Sequence, residues 1–129
     1  MLWGGAVVYR EKLPPNCPPD GCNDGECEVA FRFVSANPPT DDDFASNAAK
    51  EEPLPPGVDI CRWSSCSLYT DMDTVHKKRK LKKLQKIPFI AAITIASGSG
   101  HWTQANNHID FWMFDTFDPL KAVVQVEAL

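Results

Sequence analysis

The chain has 129 residues, 43% apolar and 23% charged, which suits one ordinary domain (1–129) with its own core. No apolar run reaches about 18 residues, which excludes a membrane-spanning helix. The opening MLWGGAVVYREK has neither a basic start nor an apolar stretch long enough for a signal peptide, so the expected compartment is the cytoplasm. Net charge is −4, but residues 77–86 (KKRKLKKLQK) hold seven of the thirteen Lys and Arg. An acidic chain repels polyanions except where such a stripe faces them.

In chain order, residues 6–10 (AVVYR) read as a short strand. Residues 13–27 (LPPNCPPDGCNDGEC) are a Cys- and Pro-rich loop. Residues 28–34 alternate, with Val29, Phe31 and Phe33 facing one way and Glu28, Ala30 and Arg32 the other, a half-buried strand. Pro38 and Pro39 end it. Thr40 with Asp43 forms a shortened capping box, and Asp41, Asp42 and Asp43 suit the positive end of a helix, predicted over roughly 41–50. Residues 53–58 return to loop.

ICRWSSCSLY (60–69) reads as a strand, and Thr70 with Asp73 opens a basic surface helix over 71–86 that Pro88 ends. FIAAITIA (89–96) is apolar throughout and is the expected central strand, buried on both faces. SGSGHWTQANN reads as a loop. HIDFWMFD (108–115) alternates, with Ile109, Phe111 and Met113 on one face. KAVVQVEAL closes as a last strand. This order predicts an α+β fold, a mixed but largely antiparallel sheet of five to six strands with two short helices.

Three constellations carry chemistry. Five cysteines, an odd count, argue against a full disulfide framework. Cys17, Cys22 and Cys27 recur with four residues between them and are candidate zinc ligands, although C-x4-C is looser than the usual knuckle. The alternative is a flexible loop that happens to carry cysteines. On a shared strand Cys61 and Cys66 would face opposite ways and would not chelate together.

The basic residues Lys77, Lys78, Arg79, Lys80, Lys82, Lys83 and Lys86 can neutralise phosphates on a nucleic acid or dock on an acidic protein. They can equally form a solvated face or pair with the acids of 41–52. No aromatic stacking platform is interleaved with them. His101, His108 and Asp110 are candidates for metal binding or acid–base work, set against two polar residues at a strand edge. No phosphate loop, dinucleotide fingerprint, nucleophile elbow or H-E-x-x-H occurs.

The segment FRFVSANPPTDDDFAS resembles the opening of a family of small uncharacterised bacterial proteins with an N-P-P-T…D-F pattern. The similarity continues through Ser67, Leu68 and Tyr69, through Ile90 to Ile95 and through His108 to Trp112, covering about residues 28–129. It implies one compact domain and no particular activity.

A weaker resemblance in layout links Arg32 on an early strand, Ser67 on the next and Glu127 on the last to ADP-ribosyltransferase-like folds. There Arg32 would hold a phosphate of NAD, Ser67 would line the nicotinamide site, and Glu127, within Gln125-x-Glu127, would stabilise the oxocarbenium-like state. The middle motif here is S-S-C-S rather than S-T-S. His108 joins these three as a candidate catalytic residue.

Two function classes result. One is a non-catalytic binding or accessory module that uses the basic helix. The other is an NAD-dependent effector or toxin. Large aromatics on both faces of HIDFWMFD add the expectation of a homodimer through the C-terminal strands.

Overall fold

The structure, a computed structural model, describes residues 7–129. Its frame is one six-stranded sheet in the order β4-β5-β2-β1-β3-β6, antiparallel at every pairing. The strands are β1 (Cys27–Val34), β2 (Cys66–Tyr69), β3 (Phe89–Ile95), β4 (Gly100–Ala105), β5 (His108–Met113) and β6 (Val123–Ala128). Three short helices are α1 (Ile60–Trp63), α2 (Met72–Lys78) and α3 (Pro119–Ala122), with a 3-10 turn at Asp41–Phe44. The α+β expectation holds, with no parallel pair in the sheet and one helix more than expected.

Alternation along the strands divides the core into two layers. Ala30, Val34, Cys66, Leu68, Ala91, Ile93, Ile95, Ile109, Phe111 and Met113 point to one face, where Phe44 from the 3-10 turn and Phe117 pack on them. The Phe111 and Phe117 rings meet edge-on at 5.3 Å. On the other face Phe33 and Ile90 pack with Val75 of α2, flanked by Phe31, Tyr69, Met72, Leu84, Ile87 and Leu129. Each aliphatic side chain buried as completely as Leu68 or Ile93 contributes about 1.5–3 kcal/mol of transfer free energy.

Several local expectations are corrected. No strand forms over 7–10; Tyr9 makes a single bridge to Phe114, and Ala6 lies outside the described residues. The helix expected over 41–50 stops after one 3-10 turn. The Thr40–Asp43 capping box is present, but Ala45 turns extended (ψ 147°) and the chain leaves the helical path. ICRW is helical, because Asp59 caps it by accepting from the Cys61 N–H at 3.0 Å, and only Cys66–Tyr69 continues as strand. α2 starts at the Asp71 cap, which accepts from the Thr74 N–H at 2.7 Å, and ends at Lys78. Beyond it, like charges at Lys78 and Lys82, at Arg79 and Lys83, and at Lys82 and Lys86 would stack on one helix face with no acid between them. Residues 79–86 continue as turns instead.

The expected loop 97–107 contains β4, joined to β5 by a tight turn with Asn106 in the left-handed region (φ 55°). FIAAITIA is an interior strand, as expected, but fifth of six. β1 and β2 hold the middle. Its far face is only partly covered, with Ile90 buried and Thr94 exposed.

Candidate functional site

The basic segment begins where α2 ends. Val75 anchors the helix in the core, and Leu84 and Ile87 hold the following turns against the same layer. Hydrogen bonds from the Arg79 N–H to the Val75 carbonyl (2.9 Å) and from the Leu84 N–H to the Leu81 carbonyl (2.9 Å) shape these turns. Val75, Leu84 and Ile87 point inward, while the cations and Leu81 are left outside. Lys77, Lys78, Lys80, Lys82, Lys83 and Lys86 are all exposed, and Arg79 is half-buried.

Among the described residues the ion pairs are Arg10–Asp41 and Arg62–Asp110, with His108–Asp110 a third only when the imidazole is protonated. None of the seven cations of 77–86 is paired, so the acids of 41–52 do not neutralise them. Lys77 and Lys78 do sit favourably at the negative end of α2. His76, Arg79, Lys80 and Gln85 line an open hollow without a carboxylate. The Arg79 Nε is shielded from solvent and has no hydrogen-bond partner among the described residues. A surface of donors and positive charge whose cations form no ion pair among the described residues attracts anions over a distance of about one Debye length, about 8 Å at physiological salt.

A second polar group lies on the same sheet face, beneath α1. Asp110 of β5 is nearly buried. It accepts from the Arg62 Nε at 2.9 Å and from the Ser65 hydroxyl at 3.1 Å, and the His108 Nδ1 lies 3.5 Å away. Burial pushes the His108 imidazole below its ordinary 6.5. Asp110 opposes that shift, while Arg62 and Lys78 add to it. The ring stands edge-on to Tyr69, with centroids 5.6 Å apart. The group ties α1 to the sheet, as does the Trp112 indole N–H, which donates to the Cys61 carbonyl at 3.0 Å. His101 does not join it. Four residues along β4 place His101 about 13 Å from the His108 end of the hairpin. There it is bonded to the Tyr9 hydroxyl at 2.6 Å.

Of the four candidate catalytic residues, only Ser67 and His108 bring their side chains to one face as neighbours. Ser67 lies opposite Asp110, and Tyr69 lies opposite His108, so Ser67 and His108 are diagonal neighbours on one face. Arg32 points to the other face. There its Nε donates to the Asp43 carbonyl (2.8 Å), Nη1 to the Ser67 carbonyl (2.9 Å) and Nη2 to the Ala45 carbonyl (3.1 Å). A guanidinium spent on three backbone carbonyls is a structural clamp. Glu127 is exposed on the edge strand β6 and accepts from the Gln125 amide at 2.6 Å. Four inter-strand spacings, about 19 Å, separate its strand from that of His108. Arg32, Ser67 and Glu127 share no cleft.

The cysteine triple also comes apart. Cys17 is disulfide-bonded to Cys61, with their Cα atoms 5.4 Å apart, which ties the 13–27 loop to α1. Cys17 therefore offers no thiolate alongside Cys22 and Cys27. Among the described residues no three His, Cys, Asp or Glu side chains are grouped to hold a metal ion. Burial raises the thiols of Cys22 and Cys27 above their ordinary value, a shift that acids at Asp24 and Asp20 reinforce for Cys22. Both are protonated at neutral pH and weakly nucleophilic.

The aromatic face expected to dimerise is covered as well. Ile109 to Met113 are all buried, with Trp112 under α1 and Phe111 in the main core. Two residues that matter to the Asp110 group, Arg62 and Ser65, carry no local signal, since they lie 48 and 45 positions away in the chain. No family model, no curated protein and no solved structure matches this chain.

Proposed function

We propose that this protein is a non-catalytic binding module that docks on nucleic acid through residues 77–86. One observation carries the reading: seven cations lie within ten residues on a fixed scaffold, six of them exposed, and none has a carboxylate partner among the described residues. Without that segment the chain holds six bases against 17 acids, so attraction for a polyanion is confined to this surface. Residues 79–86 form turns rather than a helix or ribbon that could enter a groove, so no regular element presents their side chains to base edges. Binding is therefore to phosphates and indifferent to sequence. An acidic protein is the alternative partner for the same charge. The NAD-dependent reading receives no support from the placement of Arg32, Ser67 and Glu127.

The test is a titration of fluorescent duplex DNA of random sequence at several salt concentrations. Affinity falls steeply with salt, with a log–log slope of up to about −6 if all seven cations meet phosphates. Lys82→Glu with Lys83→Glu weakens binding to every sequence alike and flattens the slope by about two. Binding that ignores salt, or that survives the double substitution unchanged, removes the proposal. An acidic peptide that binds while DNA does not would transfer the surface to a protein partner.

A further inference from the structure

The two edges of the sheet are treated differently. On the outer edge of β4, Asn23 folds back and pairs with Trp102, each backbone N–H donating to the other's carbonyl at 2.8 Å. No described residue does this for β6. Its outward backbone groups follow from its pairing with β3. The Leu129 N–H donates inward to the Pro88 carbonyl at 2.9 Å, and Ile90 lies opposite Glu127 and Ala92 opposite Gln125. Leu129, Glu127 and Gln125 therefore turn their N–H and C=O groups toward β3, and Val126 and Ala128 turn theirs outward.

The residues of this edge do little to discourage pairing. VVQVEA is rich in β-branched residues, contains no Pro and no Lys, and exposes 63% of Val124. Exposed edges of that composition are templates for another strand. The one irregularity, a bulge opposite Ala92 and Ile93, lies at the N-terminal end and leaves Gln125 to Ala128 in regular register.

We propose that β6 pairs antiparallel with β6 of a second copy of this chain, with Val126 at the two-fold axis. The chemistry of the edge selects both occupant and register. An antiparallel partner must meet the outward N–H and C=O of Val126 with its own, and within the regular stretch Gln125 to Ala128 that sets Val126 against either Val126 or Ala128 of the other copy. Centred on Val126, the pairing sets Gln125 opposite Glu127 of the other copy, twice. The amide that now donates to Glu127 within one strand then has an equivalent carboxylate directly across. Shifting the pairing so that Val126 meets Ala128 sets Glu127 against Glu127, and like charges directly opposite are destabilising. The two sheets become one of twelve strands. The axis is normal to the sheet, so both basic segments lie on the same side.

Edge pairing of six-residue strands is smaller than a standard stable interface, so the dimer is weak and concentration-dependent. Sedimentation equilibrium from low micromolar to near-millimolar protein tests it. Gln125→Lys, which places Lys opposite Glu127, tightens the dimer, and Gln125→Glu loosens it. Two symmetric charge pairs shift the dissociation constant by roughly two- to thirtyfold in each direction. Val126→Pro abolishes dimerisation while the monomer stays folded, because the lost N–H points away from β3. Hydrogen exchange at the Val126 amide slows with concentration. A monomer throughout the range overturns the proposal. So does a dimer that Gln125→Lys and Gln125→Glu affect alike, or one that survives Val126→Pro.

Discussion

Arg32 and Asp43 are in contact, yet not as an ion pair: the guanidinium donates to the backbone carbonyl of Asp43, while the Asp43 carboxylate turns away to bind Ser35 and Thr40. The charge of each residue is used to hold backbone. Arg32 fastens the 43–45 segment to β1 and β2, and that segment carries Phe44 into the core.

Arg32→Lys keeps the charge but cannot reach three carbonyls from one planar fork. It should cost about 2–4 kcal/mol, since hydrogen bonds to a charged group contribute about 1.5–3 kcal/mol each. Urea unfolding measures it. A loss below about 1 kcal/mol, less than a single such bond, would show that the clamp contributes little.

Acid should destabilise the protein in two separate windows. Burial raises the Asp43 carboxyl, but hydrogen bonds from the Ser35 hydroxyl and N–H and from the Thr40 N–H and hydroxyl outweigh it, and the group ends below its ordinary 3.8. Its contribution is complete above pH 3.8 and is lost as pH falls through the lower folded value. His108 is also depressed, from 6.5, so the unfolded chain takes up its proton first. Stability therefore declines as pH drops below about 6.5 and levels off once the folded imidazole is charged. Urea midpoints followed from pH 8 to pH 3 should show both limbs; His108→Gln removes the first and Asp43→Asn flattens the second.

Gly100 is required for space. A Cβ there would press on the Trp112 carbonyl oxygen, the edge of the Phe111 ring (2.7 Å) and the Met113 Cα (3.0 Å). Two of these three are backbone atoms in the paired strand and cannot swing aside. Gly100→Ala should cost about 3 kcal/mol or more, at the upper end for overpacking. Gly98 has φ 82° but open space around it, so Gly98→Ala should cost only about 1–2 kcal/mol. Thermal unfolding of both variants checks the order.

The Cys17–Cys61 link closes a loop across 44 positions. On the chain-entropy account its removal in a Cys17→Ser, Cys61→Ser variant costs up to about 4 kcal/mol. Chemical unfolding of the oxidised protein and of the double variant compares the two directly. Equal midpoints would refute the stabilising role.

What could be read in advance followed alternation and local capping. β1 and β5 both alternate, so both strands were visible, and in β5 so were the core side chains Ile109, Phe111 and Met113; in β1 the bulky row faces the smaller α2 layer with Val29 exposed, and the main core takes Ala30 and Val34 instead. β4 was hidden because GHWTQA is half polar, as suits an edge strand, and its cover comes from Asn23, far back in the chain. α1 was hidden because ICRW is apolar and β-branched at its start, and the Asp59 cap outweighs that preference. The basic surface was legible as composition, but its shape was not: the helix stops at Lys78 and residues 79–86 continue as turns. Arg32 and Glu127 misled for a different reason. Residue type suggests a role, while the direction of a side chain depends on strand order, and neither spacing nor composition encodes that order.

The strand order also bears on how the chain reaches this form. β1 is complete by residue 34, yet its longest partner, β3, begins at residue 89, and helices and loops must be threaded in between. The middle of the sheet thus waits on the joining of distant segments, an arrangement associated with folding in milliseconds to seconds rather than microseconds. During that delay Phe31 and Phe33 stand uncovered on a newly made strand, and the nascent chain is most vulnerable to sticking to its neighbours.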